Sequence, residues 1–74
     1  MNDILMLTGI SNGLKVKLTR IVLGLRQIDV AAAAHVDTID VTRLEKNRYV
    51  APIRRVKILR VLGMVAEGED TTES

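Results

Sequence analysis

Residues Gln27 to Glu45, reading QIDVAAAAHVDTIDVTRLE, constrain the fold more than any other stretch of the chain. The run Ala31 to Ala34 favours helix, and its side chains are small enough for another helix to cross closely. The run breaks at His35-Val36-Asp37, where histidine is among the side chains that tolerate the left-handed backbone region. Asp37 is a good N-cap, and Asp40 three residues on offers a carboxylate version of the capping box. Val30, Ala31, Val36, Val41 and Leu44 have the spacing of inward-facing positions, which leaves Thr38, Thr42, Arg43 and Lys46 on the opposite side. The stretch is therefore expected to form two short helices at a steep angle, joined by a tight turn, with the second presenting polar side chains outward.

On either side, periodicity predicts one more helix. From Leu14 to Gly24 the apolar residues Leu14, Leu18, Ile21, Val22 and Leu25 fall at i, i+4, i+7, i+8 and i+11, one stripe of an amphipathic helix that Gly24 closes. After the central pair, Asn47 suits a left-handed cap, and Pro52 opens a last helix that runs to about Leu62 and ends at Gly63. Ile58, Leu59 and Leu62, with Val56, make its inner face, and Arg54, Arg55, Lys57 and Arg60 lie outside. The fold class expected is all-α: a small bundle of about four helices over residues 14–66, preceded by an apolar arm (1–13, with Ile4 to Leu7) and followed by an acidic, disordered tail (67–74). The arm is expected to pack on its own domain or to bridge two subunits. Left free, it would expose contiguous apolar surface.

Size and charge narrow the function. A single domain of 74 residues buries only about 60% of the surface its unfolded chain exposes, so its stability is marginal unless it oligomerises. It has one aromatic residue, Tyr49, and no cysteine, which excludes disulfide and thiolate chemistry. No apolar run approaches the roughly 18 residues of a membrane span, and the expectation is a soluble, cytoplasmic protein. The net charge of +2 is uneven: residues 1–66 carry all eleven bases against five acids, or +6, and the tail carries Glu67, Glu69, Asp70 and Glu73. A basic body suits a polyanion partner. His35 is the only histidine, so no metal site, cofactor or nucleophile–base pair is expected, and the chain does not read as an enzyme.

In order and spacing, Leu23-Gly24-Leu25, Gln27, Val30-Ala31, Val36, Val41, Leu44-Glu45 and Leu62-Gly63 resemble the lambda-repressor/Cro-type helix-turn-helix (XRE) family of phage and bacterial transcriptional regulators, over about two-thirds of the chain. The resemblance implies a second short helix inserted into the DNA major groove. It implies that Arg20 and Glu45 form a buried pair linking the first helix to the end of the recognition helix. It also implies that Gln27 meets a DNA phosphate. The chain departs from the family at Arg26, where a capping Ser, Thr or Asn is usual, at His35 in place of glycine, and at Ile39 and Asp40.

On this reading Thr38, Ile39, Thr42 and Arg43 face base edges. Arginine can grip guanine, threonine can hydrogen-bond a base, and isoleucine can meet a thymine methyl. Arg26, Gln27, Lys46 and Arg48 face phosphates. Asp40 either accepts from a cytosine amino group or caps its own helix. The function expected is sequence-specific regulation of transcription, as a repressor, by a homodimer on double-stranded DNA. The arm, or Leu62, Met64 and Val65 at the end of the last helix, is the expected interface. Two rivals stand beside it: a protein-interaction module using the arm or the recognition helix, and the antitoxin of a toxin–antitoxin pair.

Overall fold

The computed structural model describes residues 10–64, and the expectations for residues 1–9 and 65–74 lie outside them. Four helices follow one another: α1 (Asn12–Val22), α2 (Gln27–Ala34), α3 (Thr38–Glu45) and α4 (Pro52–Val61). The protein is an all-α bundle with no strand among the described residues. None of the four helices is long and apolar enough to cross a membrane.

All four helices stop by the same device. In α1 the Gly24 and Leu25 N–H groups donate to the Ile21 and Arg20 carbonyls; in α2 the His35 and Val36 N–H groups donate to Ala32 and Ala31. Asn47 and Arg48 do the same to Leu44 and Arg43, and Gly63 and Met64 to Arg60 and Leu59. This paired closure needs one left-handed residue per helix. The four are Gly24 at φ 76°, His35 at φ 59°, Asn47 at φ 60° and Gly63 at φ 73°, the four positions the sequence offered for it. At the other ends, Ser11 Oγ accepts from Leu14 N–H, Asp37 caps α3 by accepting from Ile39 N–H, and Pro52 occupies the first turn of α4.

The core is aliphatic: Val16, Val30, Ala31, Ala34, Val41, Ile58 and Leu62, with Leu25, Val36, Leu44, Leu59 and Val61 packed around it. α2 lies against both α3 and α4, its alanines admitting close neighbours, and α1 packs on α3. Val50 anchors the α3–α4 loop. Leu62 is 5% exposed, so it belongs to the core and is not available as the subunit interface expected of it.

The inner face of α1 is not the one its apolar spacing indicates. Leu14, Leu18, Ile21 and Val22 are exposed, and of the predicted stripe only Leu25, beyond the helix, packs on the core. The buried residues of the helix are Gly13 and Val16, with Arg20 half-buried on the same side. α1 also begins two residues earlier than expected, so Gly13 is helical and not part of a turn. Its bare Cα meets the end of α3: a Cβ there would stand 2.4 Å from the Glu45 carbonyl oxygen and 2.7 Å from that of Leu44. Asn47 completes the join, its Oδ1 accepting from Gly13 N–H and its amide donating to Ser11 Oγ.

Two effects oppose each other in Gly13→Ala. Alanine is favoured in a helix by roughly 0.5–1 kcal/mol, whereas forcing an extra carbon against fixed backbone costs about 1–3 kcal/mol. The expected outcome is net destabilisation, measured by urea denaturation; a variant more stable than the parent would refute the close approach of α1 to α3.

Candidate nucleic-acid interface

Beyond the turn, α3 separates its two sides cleanly. Val41 is fully buried and Leu44 packs on the core, which sends Ile39, Arg43 and Lys46 into solvent, with Thr38 and Thr42 half-buried between. Ile39 is 55% exposed, a large aliphatic side chain on an otherwise polar face. Ile39, Thr42, Arg43, Lys46 and Arg48 together line one shallow, open depression. Five of the eight residues assigned to a DNA contact from sequence thus share one surface. Arg43, Lys46 and Arg48 make no side-chain hydrogen bond or ion pair among the described residues. Tyr49, next along the chain, is 75% exposed. Tyr49 is not among the residues assigned to DNA from the sequence, although a lone aromatic directly after an outward-facing helix is a usable signal.

Behind this face a buried polar cluster fixes how α3 is held. Arg20 Nε donates to Glu45 Oε2 at 2.6 Å and Arg20 Nη2 to Oε1 at 3.3 Å, with the two side chains 12% and 4% exposed. Arg20 Nη1 also donates to the Leu25 carbonyl at 2.9 Å, tying down the α1–α2 connection. Gln27 enters the same cluster: its amide donates to Glu45 Oε1 at 3.0 Å and its carbonyl accepts from Thr42 Oγ at 3.0 Å. Both ends of Gln27 are therefore engaged inside the domain. It links α2 to α3, and the second N–H of its amide is left for a phosphate. Thr42 likewise directs its hydroxyl proton to Gln27 Oε1, so toward a base it can act only as an acceptor or through its methyl group.

Asp40 performs neither role read for it. Its side chain is 13% exposed and turned toward α4, where Arg54 Nε stands 3.4 Å away. The two carboxylates at the start of α3 divide the work, Asp37 capping the helix and Asp40 bracing it against α4. Arg26, at the entrance to α2, has no side-chain acceptor with which to cap. Asp29 supplies half of a capping box instead, its Oδ2 accepting from Arg26 N–H at 2.8 Å and from Arg26 Nε at 3.0 Å. The Arg26 guanidinium, chiefly by hydrogen bonding and then its backbone N–H, holds the Asp29 carboxyl below its ordinary pKa; the same hydrogen bond raises that of Arg26. The side chain of Arg26 is 79% exposed, and water and salt screen so exposed a pair, so a phosphate can compete for Arg26.

No protein-family model, curated protein or solved structure matches the chain.

Removing one partner of the buried pair strands the other. Glu45→Ala and Arg20→Ala are each expected to cost about 3–5 kcal/mol, most of the stability of so small a domain. The double variant should be less damaged than the two losses added together. Losses well below about 1 kcal/mol that add simply would mark two independent surface charges. At Asp29 the folded-state pKa lies below the unfolded one. Its contribution to stability is therefore present above the ordinary carboxylate range and is lost as pH falls through the lowered value. Carboxyl NMR should show the Asp29 midpoint moving up in Arg26→Ala; an unchanged midpoint would remove Arg26 as the cause.

Proposed function

We propose that this protein is a non-catalytic, sequence-specific DNA-binding regulator that inserts α3 into the major groove, and that it represses transcription from inside a bacterial or phage-infected cell. The observation that carries the reading is the one surface that Ile39, Thr42, Arg43, Lys46 and Arg48 share, behind which α3 is braced by polar contacts to the other helices. A groove-reading helix needs both properties, since base contacts discriminate only when the helix is held in register. Charge supports the same reading. The described residues hold all eleven bases and four acids, a net of +7, and each of the four acids is engaged internally: Asp29 with Arg26, Asp37 with Ile39 N–H, Asp40 with Arg54, Glu45 with Arg20 and Gln27.

In this reading Arg43 grips a guanine through O6 and N7, Ile39 meets a thymine methyl, and Thr38 and Thr42 bear on base edges. Lys46, Arg48 and Arg26 neutralise phosphates and set the orientation. Gln27 contributes through the rigid entrance of α2, where the first backbone N–H groups have no helical acceptor and favour an anion. One such domain makes few contacts, so two copies on a two-fold site supply the affinity. The resemblance to the lambda-repressor/Cro-type (XRE) regulators supports the same assignment. The exposed Ile39 and Tyr49 favour a second reading, in which this face docks a protein, as in a co-regulator or an antitoxin.

Binding to DNA from the native promoter should separate these readings. Arg43→Ala is expected to cost about 1–3 kcal/mol on the preferred site and to relax discrimination at one base pair. Lys46→Ala should weaken all sequences alike and flatten the logarithmic salt dependence by about 0.9. Equal losses on specific and random DNA for Arg43→Ala would remove it as a base reader. Salt-independent binding, or none, would favour the protein partner.

A further inference from the structure

At 3.6 residues per turn, Leu14, Leu18 and Ile21 lie roughly 180° around α1 from Val16 and Arg20, which face α3. The outward side of α1 is therefore apolar: Leu14, Leu18, Ile21 and Val22 are all exposed, Val22 by 83%, and Leu23 continues the surface at the helix end. Ile10, Leu18, Thr19 and Met64, with the stem of Lys15, line an apolar depression at the start of this face. A contiguous apolar surface on so small a domain marks a contact site.

The chain supplies a segment that matches it. Ile10, the first described residue, is itself part of the wall of the depression. The residues just before it include Ile4-Leu5-Met6-Leu7, followed by Thr8-Gly9, a pair suited to reversing the chain. At roughly 3.3–3.6 Å per residue, Leu7 can reach about 10 Å from Ile10 and Ile4 about 20 Å. From Leu14 to Val22 the face is only about 12 Å long. The tetrad can therefore cover the whole face without leaving its own chain. A second copy placed face to face would gain much less. These five side chains, about half exposed, offer less than the roughly 800 Å² per partner of a stable interface. A tethered segment also escapes the entropic cost of association.

We propose that the Ile4–Leu7 segment seats on the outward apolar face of α1 in the same chain, closing the side of the helix opposite α3. This assignment does not depend on DNA binding. The absence of cysteine from the sequence makes the test direct. The Leu5→Cys/Leu18→Cys variant, oxidised at low protein concentration, should run on a non-reducing gel as a cross-linked monomer that reductant reverses. Leu5→Cys/Ala33→Cys, whose second position is exposed on α2, should cross-link far more slowly. In the otherwise native chain, Leu5→Asp should increase binding of a dye that reports exposed apolar surface. Cross-linked dimers alone would assign the face to a second copy and overturn the proposal. Equal rates for the two pairs, or no cross-link, would also overturn it.

Discussion

The carboxylate of Glu45 sits where a helix should least tolerate it. It occupies the last turn of α3, where the unsatisfied carbonyls carry partial negative charge and favour cations instead. Its side chain is also nearly buried. Only the guanidinium of Arg20, in bidentate contact, and the amide of Gln27 make that position tenable. Each donor comes from a different helix, so one carboxylate fixes the end of α3 against α1 and α2 at once. Such a cluster adds little net stability over a well-packed apolar one, because desolvation offsets most of the attraction. What it supplies is directional: three helices must adopt one relative arrangement before the charge is satisfied.

The other polar contacts extend the same constraint around α3. Asp40 reaches Arg54 on α4, and Asn47, just beyond the helix end, holds Gly13 and Ser11 at the start of α1. Thr42, on the partly outward side, is tied to Gln27. α3 is thus gripped near its beginning, along its length and at its end by side chains of known geometry, while the hydrophobic contacts of Val41 and Leu44 supply depth. Since apolar packing alone permits sliding and rotation more readily than hydrogen bonding does, the polar contacts determine which face of α3 points outward.

Much of the fold was legible because it is written in residues with narrow backbone roles. Gly24, His35, Asn47 and Gly63 are among the few residue types that accept a left-handed conformation, and each falls one or two residues past the end of its helix. The inward set of the central pair was equally plain, since Val30, Ala31 and Val41 are small or branched aliphatics in a helical register. The orientation of α1 was not legible. Its inner face holds a glycine, one valine and a charged arginine, which any hydrophobic count scores as solvent-facing, and its outer face holds the leucines. The Arg20–Glu45 pair came from the family resemblance, and once placed it dictates the true inner face of α1. The partners of Asp40 and Gln27 inside the domain were not legible for a related reason: Arg54 and Glu45 are distant in sequence, and pattern reasoning assigned Asp40 to a local cap.

The separation of charge on this surface follows from those internal commitments. A folded domain with eleven bases would be expected to scatter its acids among them to limit repulsion. Instead two of the four acids of residues 10–64, Asp40 and Glu45, are consumed in holding helices together, while Asp29 and Asp37 serve the starts of their own helices. Arg43, Lys46 and Arg48 are left without internal partners among the described residues on the face that α3 presents. The cost of that uncompensated charge is small in water and at ordinary ionic strength, because exposed cations are screened over roughly 8–10 Å. The internal use of carboxylates and the positive outer face are therefore one feature of the fold: the interactions that orient α3 also strip its outward surface of compensating charge.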